Sequence, residues 1–168
     1  MRFNTLILLI FFAAALAPAR AADKFLGAFD AWDAAVTAVG KSKACYMTSL
    51  PKKAEGKYKK RGEASVIVTH WPGRKMYNVV SVVAGYAYGK DAEVQVVIGG
   101  KKFTLFGQGE RAWADSAKDD RALARAMRGG ATMIVRGVSS RGTKTKDTYS
   151  LKGVSAAFAA INKACGVK

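Results

Sequence analysis

The chain has 168 residues, and its 28 lysines and arginines against 12 aspartates and glutamates give a formal net charge of +16. A single histidine and two cysteines exclude a metal site built on two or more histidines, and they leave few ligands for any tetrahedral zinc site. The charge predicts attraction to polyanions, although it carries no information about the fold.

The first 21 residues have the composition of a cleavable signal peptide. Arg2 precedes an apolar run over 6–16, and Ala19-Arg20-Ala21 supplies small residues at a cleavage site. This run is about half as long as a membrane-spanning helix requires. We therefore predict export and a single soluble domain over 22–168. The net charge of that mature chain is about +14. Periplasmic, outer-membrane-associated and secreted locations all stay open, and the bacterial periplasm is the first expectation.

The mature sequence predicts a mostly β fold, either an antiparallel β-sandwich or a barrel-like sheet. Turn signals recur about every 8–12 residues, with short β-branched or aromatic runs between them. The segment 32–39 fits a helix as well, and we interpret it as a strand. Strands are thus predicted at 32–39, 44–49, 65–70, 78–84, 93–98, 102–106, 132–138 and 146–151.

Two segments interrupt the β pattern and predict a short helix near 119–128 and a C-terminal helix near 155–165. Acidic residues open the first segment, and Arg128 and two glycines close it. Ser155 is the predicted N-cap of the second helix. One face of that helix carries residues at helical spacing, namely Val154, Phe158, Ile161 and Cys165.

The two cysteines, Cys45 and Cys165, predict one disulfide, because an exported chain folds in an oxidising space. Such a bridge would fix the C-terminal helix to an early strand. Closing so long a loop stabilises a fold by about 4 to 5 kcal/mol in the chain-entropy description. Two buried free thiols are the alternative.

The sequence predicts no catalytic site, no metal site and no cofactor. His70 is the only histidine and lies at a strand end, where it is more often structural than a general base. Ser49-Leu50-Pro51-Lys52 has the spacing of a lysine-activated serine, but it does not open a helix. Gly107-Gln108-Gly109 superficially matches a dinucleotide fingerprint, yet no helix pattern follows it, and we interpret it as a turn. A hydrolase using Ser49 or His70 is therefore only a third hypothesis.

Cationic side chains concentrate in two clusters. Residues 52–61, here called the basic loop, are interpreted as a long polar loop and contain Lys52, Lys53, Lys57, Lys59, Lys60 and Arg61. The secondary cluster brackets a predicted turn at 139–143 and contains Arg136, Arg141, Lys144 and Lys146. These clusters predict a polyanion contact, and the alternative is a solvated surface that maintains solubility. Tyr58 is the one aromatic residue in the basic loop, which argues against a stacking platform for single-stranded nucleic acid.

Short motifs with regular spacing run from about residue 25 to 165. They are Cys45-Tyr46, Val68-Thr69-His70, Gly85-Tyr86, Ala112-Trp113, Arg141-Gly142-Thr143, Asp147-Thr148, Ser150-Leu151 and Cys165. Together they resemble the invasion-associated locus B family. The resemblance implies a mostly β, secreted or envelope-associated bacterial protein, linked in some pathogens to entry into host cells and without established catalytic residues.

The matched residues look mainly structural. Gly85 and Gly142 suit turns, Trp113 and Tyr86 suit the core, and Asp147 is expected to cap a turn or to pair with Arg141.

We therefore expect a non-enzymatic periplasmic or envelope-associated protein. Its basic loop would bind anionic polymers such as lipopolysaccharide or glycosaminoglycan, and no dedicated nucleic-acid role is expected. The alternative is a periplasmic inhibitor or assembly partner that binds one specific envelope or host protein through a hydrophobic patch. Binding of that kind would survive moderate salt.

Overall fold

The computed structural model describes residues 23–167, so the predicted signal peptide lies outside the described residues. The described chain forms eleven strands, one short 3-10 turn and two α-helices. The strands are β1 (Lys24–Phe29), β2 (Trp32–Val39), β3 (Ser42–Ser49), β4 (Lys53–Gly56), β5 (Ser65–Trp71), β6 (Met76–Val83), β7 (Glu93–Ile98), β8 (Lys101–Gln108), β9 (Arg111–Trp113), β10 (Thr132–Val138) and β11 (Lys144–Ser150). The helices are α1 (Ala117–Gly129) and α2 (Val154–Cys165).

The predicted mostly β fold is confirmed, and each of the eight predicted strands is present with ends shifted by two residues or fewer. Three of the described strands were not predicted from the sequence: β1, β4 and β9. The interpretation of 52–61 as a loop throughout was wrong, because β4 occupies its first half. Lys-Ala-Glu-Gly has no β-branched or aromatic residue, so pairing with β11 rather than intrinsic preference makes this segment a strand.

Both predicted helices are confirmed, with one correction. Ser116 caps α1 by accepting a hydrogen bond from the Asp119 backbone N–H at 3.2 Å. The predicted N-cap of α2 was wrong, because Gly153 rather than Ser155 occupies that position with a φ of 85°. A Cβ atom at Gly153 would lie 1.9 Å from the Phe29 carbonyl oxygen, so this close approach requires glycine. Neither helix is long and apolar enough to span a membrane.

All eleven strands pair antiparallel in one sheet, in the order β1-β2-β3-β5-β6-β9-β8-β7-β10-β11-β4. This sheet does not close into a barrel, because β1 and β4 end the strand order at opposite edges. Its coiling nevertheless brings distant strands together: the Trp32 indole N–H donates to the Ser150 carbonyl oxygen at 3.1 Å. A sandwich-like arrangement therefore fits better than the barrel-like alternative.

The inner faces of the sheet and the two helices enclose one continuous hydrophobic core. Its largest fully buried side chains include Trp32, Met47, Tyr149 and Phe158. Helix α2 packs on β1, β2, β3 and β5, and helix α1 packs mainly on β6. The structure contains the predicted disulfide, which joins Cys45 on β3 to Cys165 in the last turn of α2, with their Cα atoms 6.0 Å apart.

Candidate functional site

Pairing of β4 with β11 brings the start of the basic loop beside the strand that carries Lys144 and Lys146 of the secondary cluster. In the sequence, β4 lies between β3 and β5. Those two strands pair with each other, whereas β4 lies at the opposite edge of the sheet, next to β11. There Glu55 lies opposite Lys146, and Lys146 lies opposite Arg136 of β10. Because side chains alternate along a strand, these three residues share the outer face while Asp147 points inward and is buried. The sequence could not show this meeting, since it depends on a long-range strand pairing.

A cavity of about 650 Å³ lies where the end of the basic loop meets the turn at 139–143. We call it the basic groove. Its lining consists of cations, hydroxyl groups and tyrosine rings: Lys57, Tyr58, Lys59, Lys60, Arg61, Tyr86, Ala87, Ser139, Ser140, Arg141, Thr143 and Thr145. A second depression of about 700 Å³, lined by Gly56, Lys57 and residues 141–144, continues from it. The groove therefore draws on both predicted clusters.

Four cations on the rim of the groove are exposed and form no ion pair within residues 23–167: Lys57, Lys59, Lys60 and Arg141. Lys52, Lys144 and Arg136 are likewise exposed and unpaired in that part of the chain, but they do not line the groove. Unpaired cations around a concave surface create a positive potential that attracts anionic ligands.

Two of the predicted cations are partly neutralised. Lys53 and Lys146 both pair with Glu55, at 2.9 and 3.2 Å. Hydrogen bonds from Lys53 and then Lys146 lower the pKa of the Glu55 carboxyl. These two lysines therefore contribute less free charge to the face than their number suggests.

Arg61 does not belong to the exposed set, which corrects its prediction as a polyanion contact. Its two terminal nitrogens donate to the two carboxylate oxygens of Asp147, at 2.7 and 2.6 Å, in a bidentate ion pair. The exposed fractions of the Arg61 and Asp147 side chains are 5% and 3%. The Nε of Arg61 also donates to the Ala84 carbonyl oxygen at 2.7 Å. Asp147 therefore pairs with Arg61, and the expected pair with Arg141 is not formed.

The floor of the groove is a stack of aromatic rings around the Arg61 guanidinium. Its central carbon lies 5.5 Å from the Tyr58 ring centre and 5.1 Å from that of Tyr86. The Tyr86 hydroxyl is hydrogen-bonded to Thr145 Oγ1 at 2.7 Å, and its ring meets Tyr88 edge-on at 5.3 Å. Burial raises the pKa of the Tyr86 phenol, so it stays protonated at neutral pH. This packed floor fixes the position of the basic loop.

The turn across the groove is held by its own hydrogen bonds. Ser139 Oγ accepts from the backbone N–H groups of Arg141 at 3.3 Å and Thr143 at 3.1 Å. Gly142 occupies the turn with a φ of 79°, as the sequence predicted. Arg141 thus lies in a hydrogen-bonded turn, and Ser140 and Thr143 line the groove from the same turn.

The candidate catalytic residues have structural hydrogen bonds. His70 is fully buried, where its Nδ1 accepts from the Asn78 backbone N–H at 2.9 Å and its Nε2 bonds Asn162 Oδ1 at 2.8 Å. Burial lowers the pKa of His70 and keeps the ring neutral. Ser49 is buried and donates to the Ala31 carbonyl oxygen at 2.6 Å. In residues 23–167, no group of three or more His, Cys, Asp or Glu side chains could hold a metal ion.

Sequence reasoning missed the buried polar cluster beneath the groove, although one signal pointed to it. Thr145, Asp147 and Tyr149 alternate with the outward-facing lysines of β11. An aspartate at an inward-facing position requires a buried cation or several hydrogen-bond donors. That signal predicts a partner for Asp147 without naming Arg61, which lies 86 residues away.

Comparison with known proteins identifies the family. The family model described as "Invasion associated locus B (IalB) protein" matches residues 32–162, a range that includes both basic clusters. The crystal structure of invasion associated protein B from Bartonella henselae is similar in fold, with a TM-score of 0.55 and 13% sequence identity over 82% of this chain and 95% of that chain. A search of curated protein sequences found no match. The resemblance seen in the sequence motifs is confirmed, and this chain belongs to the invasion associated locus B family.

Proposed function

We propose that this protein is an exported, non-enzymatic binding protein whose basic groove holds anionic saccharide chains at the cell envelope or at a host surface. The observation that carries the proposal is that Lys57, Lys59 and Lys60 of the basic loop and Arg141 of the secondary cluster line one concave surface beside the β4–β11 pair. A scattered surface charge that serves solubility alone has no reason to surround a groove.

The cations suit sulfate, phosphate or carboxylate groups on a flexible polymer. Lysine ammonium groups act as point charges that accept several ligand orientations, whereas arginine favours a planar, two-pronged contact. Lys57, Lys59 and Lys60 line the groove from the basic loop, and Arg141 lines it from the turn at 139–143. A chain lying in the groove would therefore meet positive charge from both segments.

The uncharged part of the lining suits a sugar. Tyr58 is 36% exposed and offers an amphipathic ring to the floor of the groove. Ser140 and Thr143 add hydroxyl groups that can both donate and accept hydrogen bonds. Nucleic acid fits less well, because a single accessible tyrosine offers no series of stacking sites.

The proposed location is the periplasm or the outer surface of the envelope. A signal peptide is expected from the sequence of residues 1–21, and the family name of the relatives refers to invasion. Lipopolysaccharide and host glycosaminoglycans share the same chemistry, namely clustered anionic groups on a saccharide backbone. The proposal is made for that shared chemistry.

Retention of the mature chain on immobilised heparin, lipopolysaccharide and neutral dextran, across a salt series at fixed pH, tests the proposal. We expect retention on one or both anionic supports, falling steeply with salt, and none on dextran. Stronger retention on heparin would identify sulfated host glycans as the source, and stronger retention on lipopolysaccharide would identify the bacterial envelope. Equal retention on dextran, or none on either anionic support at modest salt, would overturn the proposal.

A further inference from the structure

A second cavity, of about 680 Å³, lies between β6, the β8–β9 hairpin and the start of α1. We call it the aromatic cavity. It shares no lining residue with the basic groove, and nothing in the proposed saccharide binding makes use of it.

Three aromatic rings and a thioether form its apolar wall. Tyr77 and Met76 at the start of β6 are 38% and 43% exposed, and Phe106 on β8 is 44% exposed. Phe106 lies directly across from Trp113 of β9, with ring centres 5.8 Å apart. Large apolar side chains that are exposed together around a concavity mark a binding site more often than isolated ones do.

Two side chains that line this cavity, Asp120 and Asn78, carry buried hydrogen-bond acceptors. Asp120 is 7% exposed, and its Oδ1 accepts from the Val80 backbone N–H at 2.9 Å. Asn78 has a φ of 58°, and its buried Oδ1 has no hydrogen-bond partner within residues 23–167. A buried acceptor without a donor is energetically unfavourable, and a ligand that donates a hydrogen bond would remove that cost.

We propose that the aromatic cavity binds a small organic cation, an alkyl- or arylammonium whose N–H groups are held by Asp120 and Asn78 Oδ1. Its carbon body packs against Tyr77, Phe106 and Trp113. The faces of aromatic rings attract cations, and an ammonium group offers three donors to the two acceptors.

Other ligand classes satisfy this site less well. An anion would face Asp115 and the buried Asp120, and a neutral molecule would bring no charge to balance the buried carboxylate. Lys75 and Arg121 also line the cavity, but their side chains are exposed and their charges are solvated, whereas Asp120 is desolvated.

Binding of benzylammonium to the mature chain tests this inference, with benzyl alcohol as the neutral analogue and benzoate as the anionic one. Two-dimensional ¹H–¹⁵N spectra at neutral pH and physiological salt would follow the Trp113 indole and the Asn78 side-chain amide. We expect benzylammonium to shift both signals with a dissociation constant about tenfold or more below that of benzyl alcohol, and benzoate to bind weakest.

Two variants separate the charge from the apolar wall. Asp120→Asn keeps an acceptor for the Val80 N–H and removes the charge, so it should reduce the preference for benzylammonium over benzyl alcohol to about twofold or less. Phe106→Leu should weaken both aryl ligands about threefold or more. Phe25→Leu is the matched control, since Phe25 is 62% exposed on β1 and does not line the cavity.

Several results would contradict the inference. They are equal or tighter binding of benzyl alcohol or benzoate, shifts that spare both Trp113 and Asn78, absence of shifts with benzylammonium, or equal loss of affinity in Phe25→Leu and Phe106→Leu. If Asp120→Asn fails to fold, the three-ligand series and the Phe106→Leu variant still test whether the aromatic cavity binds the cation. The outcome is independent of the saccharide experiment, because the two sites share no residue.

Discussion

Arg61 and Asp147 lie 86 residues apart in the chain and form a bidentate ion pair that is almost completely shielded from solvent. One partner ends the basic loop and the other lies in the middle of β11. The pair therefore fixes the end of the basic loop against β11, the strand with which β4 pairs.

Asp147→Asn should destabilise the fold by about 3–5 kcal/mol, because it leaves the Arg61 charge buried without its counter-ion. Urea unfolding followed by circular dichroism measures this loss. Arg61→Met combined with Asp147→Leu should cost much less, since it removes both charges together. The exposed pair of Lys53 and Glu55 provides the control, and Glu55→Gln should leave the midpoint nearly unchanged. An Asp147→Asn variant as stable as the wild type would refute the structural role of the pair.

Reduction of the disulfide should lower the free energy of unfolding by about 4 to 5 kcal/mol, because the bridge closes a loop of 120 residues. The Cys45→Ala, Cys165→Ala double variant should reproduce the loss without reductant. Amide hydrogen exchange should then increase first in α2, the element that the bridge fixes to β3. Unchanged stability in dithiothreitol, with both thiols shown to be free, would contradict this expectation.

Gly85→Ala should destabilise more than Gly109→Ala, although both glycines have left-handed backbones, with φ of 69° and 57°. A Cβ atom at Gly85 would lie 2.2 Å from the Gly62 carbonyl oxygen, whereas Gly109 has open space around it. The control substitution should cost about 1 kcal/mol from the backbone conformation alone. The Gly85 variant adds a clash that displaces the end of the basic loop. Equal thermal midpoints for the two variants would show that the loop adapts without strain.

Stability should fall as pH rises from about 4 to about 6, in part because of Asp120. Burial is the main cause that raises the pKa of Asp120 to about 6, and the nearby Asp119 raises it further. The hydrogen bond from the Val80 N–H and the charge of Arg121 act in the opposite direction. The unfolded chain ionises this carboxyl first, so the folded state binds more protons in that window and loses stability as pH rises through it. The contribution is up to about 3 kcal/mol.

Urea titrations at pH values across that window measure the Asp120 contribution. Asp120→Asn should flatten the fall, while the exposed acid variant Asp91→Asn should retain it. If the stability of Asp120→Asn falls with pH as steeply as that of the wild type, other titrating groups cause the fall.

Most of the fold could be predicted from the sequence because its signals are local. Short runs of β-branched residues predict β6 and β7, and Gly99-Gly100 predicts the hairpin that joins β7 to β8. β4 could not be predicted, because Lys-Ala-Glu-Gly acquires its strand conformation from hydrogen bonds to β11. The same limit applies to Ser155, since the real N-cap at Gly153 is determined by contact with Phe29.

The candidate site was predictable in composition but not in arrangement. Clustering of the lysines is visible in the sequence, and their meeting with Arg141 depends on the β4–β11 pair. Arg61 has the same sequence environment as Lys60, yet one is buried in an ion pair and the other is exposed. The partner of Arg61 lies 86 residues away, so only the tertiary structure identifies it.

The most direct test of the basic groove compares two variants with the same loss of charge on a heparin column developed with salt. The groove variant carries Lys57→Gln, Lys59→Gln, Lys60→Gln and Arg141→Gln. The control variant carries glutamine at four exposed lysines that do not line the groove, namely Lys24, Lys101, Lys118 and Lys163. Both lose four charges, so a nonspecific attraction would weaken equally in each. The groove account predicts that the groove variant elutes at much lower salt while the control elutes close to the wild type, and equal elution of the two variants would contradict it.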